Sequence, residues 1–202
     1  KTETVPRGFL STVPGVEADA IPAHASGRLQ LAHWVASPDN PLTARVAVNR
    51  VWHHLFGRGI VESLDNFGAR PTHPELLDWL AHRFTHELGW SVKELVRELV
   101  LTRAYQLTSA NDDTSFNADP EVKLFWRARP RRLESEAVRD SLLAVAGRLD
   151  LKPPTANPLA TTLYKNDTTG DREAAEVEKS RHRSIYVPVV RGRLTEFQTL
   201  FD

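Results

Sequence analysis

Arg45, Asn49 and His53 recur every four residues between Asn40 and Gly57. On a helix that spacing lines up a guanidinium, an amide and an imidazole in one column. Lined up beside a pocket with Asp65, they are a set that a hydrolase could use for acid–base work and for holding a substrate. Arg50, Asp65 and Asn66 extend the candidate binding set, the last two beside the aromatic Phe67. The same column has a structural reading. Polar groups on the buried side of a helix must find partners, because each unpaired group costs about 1–3 kcal/mol. We therefore expect Arg45 and Asn49 to be largely buried, with Glu134, Glu136 or Asp140 supplying the carboxylate for Arg45.

Two other constellations carry weaker signals. Asp78, His82 and His86 fall at i, i+4 and i+8, and two histidines one turn apart can share a zinc ion. A third ligand and a dry pocket are not indicated and no H-E-x-x-H is present, so the expectation is a solvated face and no metal. Glu136 and Asp140 also lie one turn apart, as the paired acids of a glycosidase can. The arginines interleaved with them, Arg132 and Arg139, favour an ion-paired helix face. Arg139 stays in the candidate binding set. There is no phosphate-binding glycine loop, no nucleophile elbow and no dinucleotide fingerprint, and no cofactor is expected.

The elements that must position these residues announce themselves by cap, apolar stripe and stop. Asn40 is a good N-cap, Pro41 suits the first helical position, and Gly57 follows the last apolar residue of the hub helix. Ser26 precedes a shorter helix that ends before Pro38. Thr72 and Glu75 read as a capping box for a helix over 73–88, and Ser91 with Glu94 as a second one for 92–105. The polar run 108–115 reads as a loop, and Asp119-Pro-Glu121 as the start of a short helix. Arg131 to Ala146 reads as a helix with the stripe Leu133, Ala137, Val138, Leu142 and Val145. Ser184 to Val190 is β-branched, and Pro188 would confine a strand there to an edge. The fold class is therefore mainly α, an irregular helical bundle with a short edge strand and extended termini. Residues 1–26 form an extended lead-in, 27–150 a helical core domain, and 151–202 an irregular segment packing on that core.

Composition excludes several functions. Twenty-six basic residues balance 26 acidic ones, so bulk charge gives no footprint for a nucleic-acid partner. No apolar run reaches the length of a membrane span. Without cysteine there is no disulfide, thiolate zinc site, cysteine nucleophile or covalently attached haem. Because the chain begins with Lys1 and not Met, we expect a processed or cloned fragment.

The ordered motifs Asn40-Pro-Leu-x-Ala-Arg-Val-x-Val-Asn-Arg-x-Trp52, Phe56-Gly-x-Gly59 and Pro71-Thr-His-Pro-Glu-Leu-Leu-Asp-Trp-Leu-Ala81 carry a resemblance. So do Gly89-Trp90, Asp119-Pro-Glu-x-x-Leu-x-Trp-Arg127, Arg131-Arg-Leu-Glu-x-Glu-Ala-Val-Arg-Asp140 and Arg183-Ser-Ile-Tyr-Val-Pro-Val189. From about Gly27 onward the chain resembles a planctomycete family of secreted proteins, a domain of unknown function. Its members lie C-terminal to a second uncharacterised domain and a cytochrome-c-like module. The resemblance implies secretion, or a periplasmic location, and partners among neighbouring domains of the same polypeptide. It supplies no activity. Three functions remain open: a non-catalytic helical interaction module, an extracellular hydrolase acting on polysaccharide or its esters, and a docking surface for the cytochrome-c-like module.

Overall fold

The computed structural model describes residues 7–10, 13, 16, 19–66, 69–155, 179–187 and 194–201. Their contacts resolve into two units, Lys1–Pro130 and Arg131–Asp202. Helices make up the regular structure, and no strand occurs among the described residues, so the fold is mainly α.

The first unit is built on α2, Pro41–Phe56. The Asn40 side-chain oxygen accepts from the N–H groups of Leu42 and Thr43, and its amide donates to the Trp34 carbonyl. One buried side chain thus caps α2 and ties down the end of α1, Arg28–Ala36. Gly57 takes φ 76°, and its N–H closes the helix on the His53 carbonyl at 2.7 Å. Val48 and Trp52 then meet Ile60, Leu77, Leu80, Phe84, Leu95 and Leu99 in the core. Of the lead-in, Arg7 donates to carbonyls of residues 22, 23 and 25, and Phe9 stacks on Trp34.

The return from α2 depends on Asn49. Its amide donates to the Val61 carbonyl at 3.0 Å and its oxygen accepts the Val61 N–H at 2.9 Å. A side chain therefore satisfies a peptide that no ladder or helix serves. Gly59 is required by that closeness, since a Cβ there would lie 2.2 Å from the Val61 oxygen and 2.8 Å from Asn49 Oδ1. Thr72 returns to the same turn, bonding the Ile60 carbonyl through both its N–H and its hydroxyl. It is thus not the cap of α3, Pro74–His82, whose N-cap position is His73.

Beyond α2 the expected boundaries shift. The helix over 73–88 is α3 followed by a π-helical segment, Arg83–Glu87, closed by the Leu88 N–H on the Arg83 carbonyl. Ser91 caps α4, Val92–Val100, as its sequence predicts, but 101–106 are turns and not a further helical turn. Asp112 accepts from the Ser115 N–H and starts α5, Asp113–Ala118, inside the expected loop. The expected short helix after Asp119 is absent. Val122 and Phe125 have φ of 53° and 54°, outside the right-handed helical region. Asp119 instead accepts the Leu124 N–H, and the Trp126 indole donates to the Asp119 carbonyl.

In the second unit α6 runs Ser135–Val145, with Ser135 its one buried residue. The predicted stripe is not core: Leu133 and Leu142 are exposed, and Val145 is 90% exposed. The expected strand near 184–190 is a 3-10 turn at Ser184–Tyr186, while residues 188–190 lie outside the described ones. The cause is local. Asp140 takes the Ser184 N–H at 2.9 Å and its hydroxyl at 2.7 Å, so that backbone is not free for a ladder. Among the described residues, Asp150 and His182 form an isolated bridge. Thr195 and Gln198 exchange bonds as a capping box and start α7, Glu196–Phe201.

Asn49→Ala should lower unfolding free energy by about 2–4 kcal/mol in urea titrations, because two backbone groups lose their partner at about 1–3 kcal/mol each. Gly59→Ala should cost a similar amount, and the double variant should fall short of the sum because both break one interaction. A loss below about 0.5 kcal/mol for Asn49→Ala would remove Asn49 from this role.

Candidate functional site

Arg45 and Asn49 do share a wall. They line a cavity of about 60 Å³ with Asn66 and the apolar Leu42, Val46 and Leu64. Arg45 also borders a second, more open cleft of about 260 Å³ with Asp39, Asp78, His82 and His86. Asn49 is buried and both ends of its amide are committed to Val61.

Arg45 departs from expectation. Its side chain is 40% exposed and its carboxylate partner is Asp78 of α3, not an acid of α6. The reason lies in the helical offset. Residue 45 stands one turn from the start of α2, where α3 passes beside it, and Asp78 is the acid presented there. The α6 acids are used within their own unit: Glu136 accepts from the Ser135 hydroxyl and Asp140 from Ser184.

The remaining candidates do not converge on these cavities. Arg50 reaches Asp65 at 3.7 Å, and the Asp65 side chain is 94% exposed. The loop is shaped instead by Ser63, whose hydroxyl accepts the N–H groups of Asp65 and Asn66. His53 meets His54 edge-on with ring centroids 5.7 Å apart, and it is not among the residues lining either cavity. Arg139 belongs to the second unit. It donates to the carbonyls of Ser180 and His182 and to the Ser184 hydroxyl, and so anchors that segment to α6. It lines a cavity of about 430 Å³ whose wall includes Leu142, Leu143, Phe197 and Leu200.

Sequence reasoning missed a buried guanidinium. Arg58, between the two glycines after α2, has a side chain only 9% exposed and reaches Glu62 at 3.1 Å and Glu121 at 3.4 Å. Its Nε has no hydrogen-bond partner. An arginine in a Gly-x-Gly turn reads as surface, and only the fold reveals the turn 119–126 beside it. That turn contains Asp119. Burial alone would raise its carboxyl, but the N–H groups of Leu124 and Lys123 and the charges of Lys123 and Arg58 outweigh burial and hold it below the usual range. Glu121 is lowered chiefly by its bond from Lys123, with Arg58 adding to it. Glu98 is lowered chiefly by its bond from Arg83, which also reaches Glu87.

A depressed carboxyl contributes stability that is complete above its unfolded value, about 4, and is lost as pH falls through the folded value. Urea midpoints should therefore hold near neutrality and drop steeply below about pH 4. Asp119→Asn should be less stable at pH 6 and show a shallower acid decline. An unchanged acid slope would show that the turn is not held by that carboxylate. Arg45→Met, by contrast, should change stability by less than about 1 kcal/mol, as for other solvent-exposed pairs.

Among the described residues no three His, Cys, Asp or Glu side chains are grouped to hold a metal, and no helix is long and apolar enough to cross a membrane. No curated protein and no solved structure matches the chain. A family model does, over residues 27–202, and on that extent the chain belongs to the PSD1 family of proteins of unknown function, DUF1553.

Proposed function

We propose that the chain is a non-catalytic helical interaction module of a larger secreted polypeptide, docking neighbouring domains. The observation that carries this reading is α1. Its nine residues bury no side chain, and Leu29, at 62% exposure, stands at the surface with Leu31 and Val35. A helix this short is marginal alone, and its exposed apolar side chains are surface that a partner can cover. Trp79, Val92 and Leu101 add large apolar groups to the surface of the same unit.

The candidate catalytic column supports the same reading from the other side. Asn49 holds backbone, Arg45 holds Asp78, and the cavity beside them is about 60 Å³, well below the usual ligand pocket of roughly 300–1,000 Å³. The neighbours that the resemblance suggests are domains of the same polypeptide, a cytochrome-c-like module among them.

Calorimetric titration of the chain with those flanking domains should show saturable binding with a negative heat-capacity change, the mark of apolar burial. Leu29→Glu with Val35→Glu should weaken it at least about tenfold, roughly 1.4 kcal/mol, without altering helical content. Absence of binding, together with turnover of a polysaccharide or ester substrate, would replace this reading by the hydrolase one.

A further inference from the structure

The second unit holds a cavity of about 430 Å³ between α6 and α7, inside the range of roughly 300–1,000 Å³ usual for small-molecule pockets. Leu142 and Leu143 of α6 face it from one side, Phe197 and Leu200 of α7 from the other. Leu142 and Leu200 are also exposed, so the cavity reaches the surface of the unit. Ligand pockets combine such an apolar wall with a few fixed polar groups that orient the occupant.

Glu136, in the first turn of α6, is the polar group that is both fixed and available. Ser135 is wholly buried and donates its hydroxyl to the Glu136 carboxylate at 3.0 Å, which holds that carboxylate in place. Among the described residues this hydroxyl is the one partner Glu136 has. Arg139, a turn further on, lines the same cavity, but its guanidinium is engaged by the Ser180 and His182 carbonyls and the Ser184 hydroxyl. Glu196 brings a second carboxylate, so among the described lining residues acids outnumber bases. A carboxylate beside apolar surface is best matched by a cation.

We propose that this cavity binds a small cationic amphiphile, an alkyl or aryl body carrying one protonated amine. The body lies against the leucines and Phe197, and the ammonium donates a charge-assisted hydrogen bond to Glu136. An alcohol of the same length loses the charge, and a carboxylate meets like charge. The site is independent of the interaction reading above, which rests on α1 of the first unit.

Octylamine is the probe, with octanol and octanoate as controls of equal chain length, each titrated calorimetrically into the full chain at neutral pH. Octylamine should bind one-to-one and at least about tenfold tighter than either control, the scale of one charge-assisted hydrogen bond. Glu136→Gln keeps an acceptor for Ser135 and should erase that preference with helical content unchanged. Leu142→Arg, at an exposed position, should weaken octylamine at least about tenfold by placing like charge at the mouth. Leu29→Glu on α1 should leave it as it was. Equal affinity for all three probes, a preference that survives Glu136→Gln, or undiminished octylamine binding in Leu142→Arg would overturn the site. So would the absence of saturable binding, which would leave the cavity as surface for a protein partner.

Discussion

The first unit depends on one side chain serving one peptide. Asn49 stands on the buried side of α2 and closes both hydrogen-bonding groups of Val61, twelve residues onward. A polar residue in a core is tolerated only when satisfied, and this one is satisfied by backbone that would otherwise be unpaired. The clamp reverses the chain after Gly57, seats Ile60 among Val48, Trp52 and Leu77, and presents the Ile60 carbonyl to Thr72. The start of α3 is therefore positioned by a bond network and not by capping. Gly59 has no side chain because the clamp leaves no space for one.

How much of this was legible depended on how local the cause was. The bounds of α2 follow from Asn40, Pro41 and Gly57, each acting within a turn of itself, and the sequence shows all three. Asn49 as a buried, bonded residue was legible from its place in the stripe. Its partner was not, because the pairing spans twelve residues and reaches backbone, which carries no sequence signal. Arg45 failed for a related reason: the richest run of carboxylates is on α6, but Asp78 is the acid next to it. The turn 119–126 shows the limit of composition. Asp-Pro-Glu is a sound helix start, yet Asp119 spends its carboxylate on the Leu124 N–H, and Val122 and Phe125 take left-handed backbone.

The second unit is organised differently. Arg139 and Asp140, adjacent on α6, gather carbonyls, an N–H and a hydroxyl from residues 180–184. Charge-assisted bonds give orientation at modest net stability, and here they replace the apolar contacts that the α6 stripe was expected to make. The stripe itself, from Leu142 to Val145, faces outward. Apolar surface of this kind also stands on α1 in the first unit. Of the polar residues singled out in the sequence, Asn49 holds the Val61 backbone, Arg45 pairs with Asp78, and Arg139 holds residues 180–184.

Native-state hydrogen exchange of the Val61 amide tests the central claim most directly. Val61 lies in no helix or strand, so its N–H has only Asn49 to protect it. If the clamp is the anchor described above, Val61 exchanges through global unfolding, at the same free energy as the Leu95 and Leu99 amides of α4. Exchange several orders of magnitude faster, at the rate of neighbouring loop amides, would contradict it and return Asn49 to the list of groups free to meet a ligand.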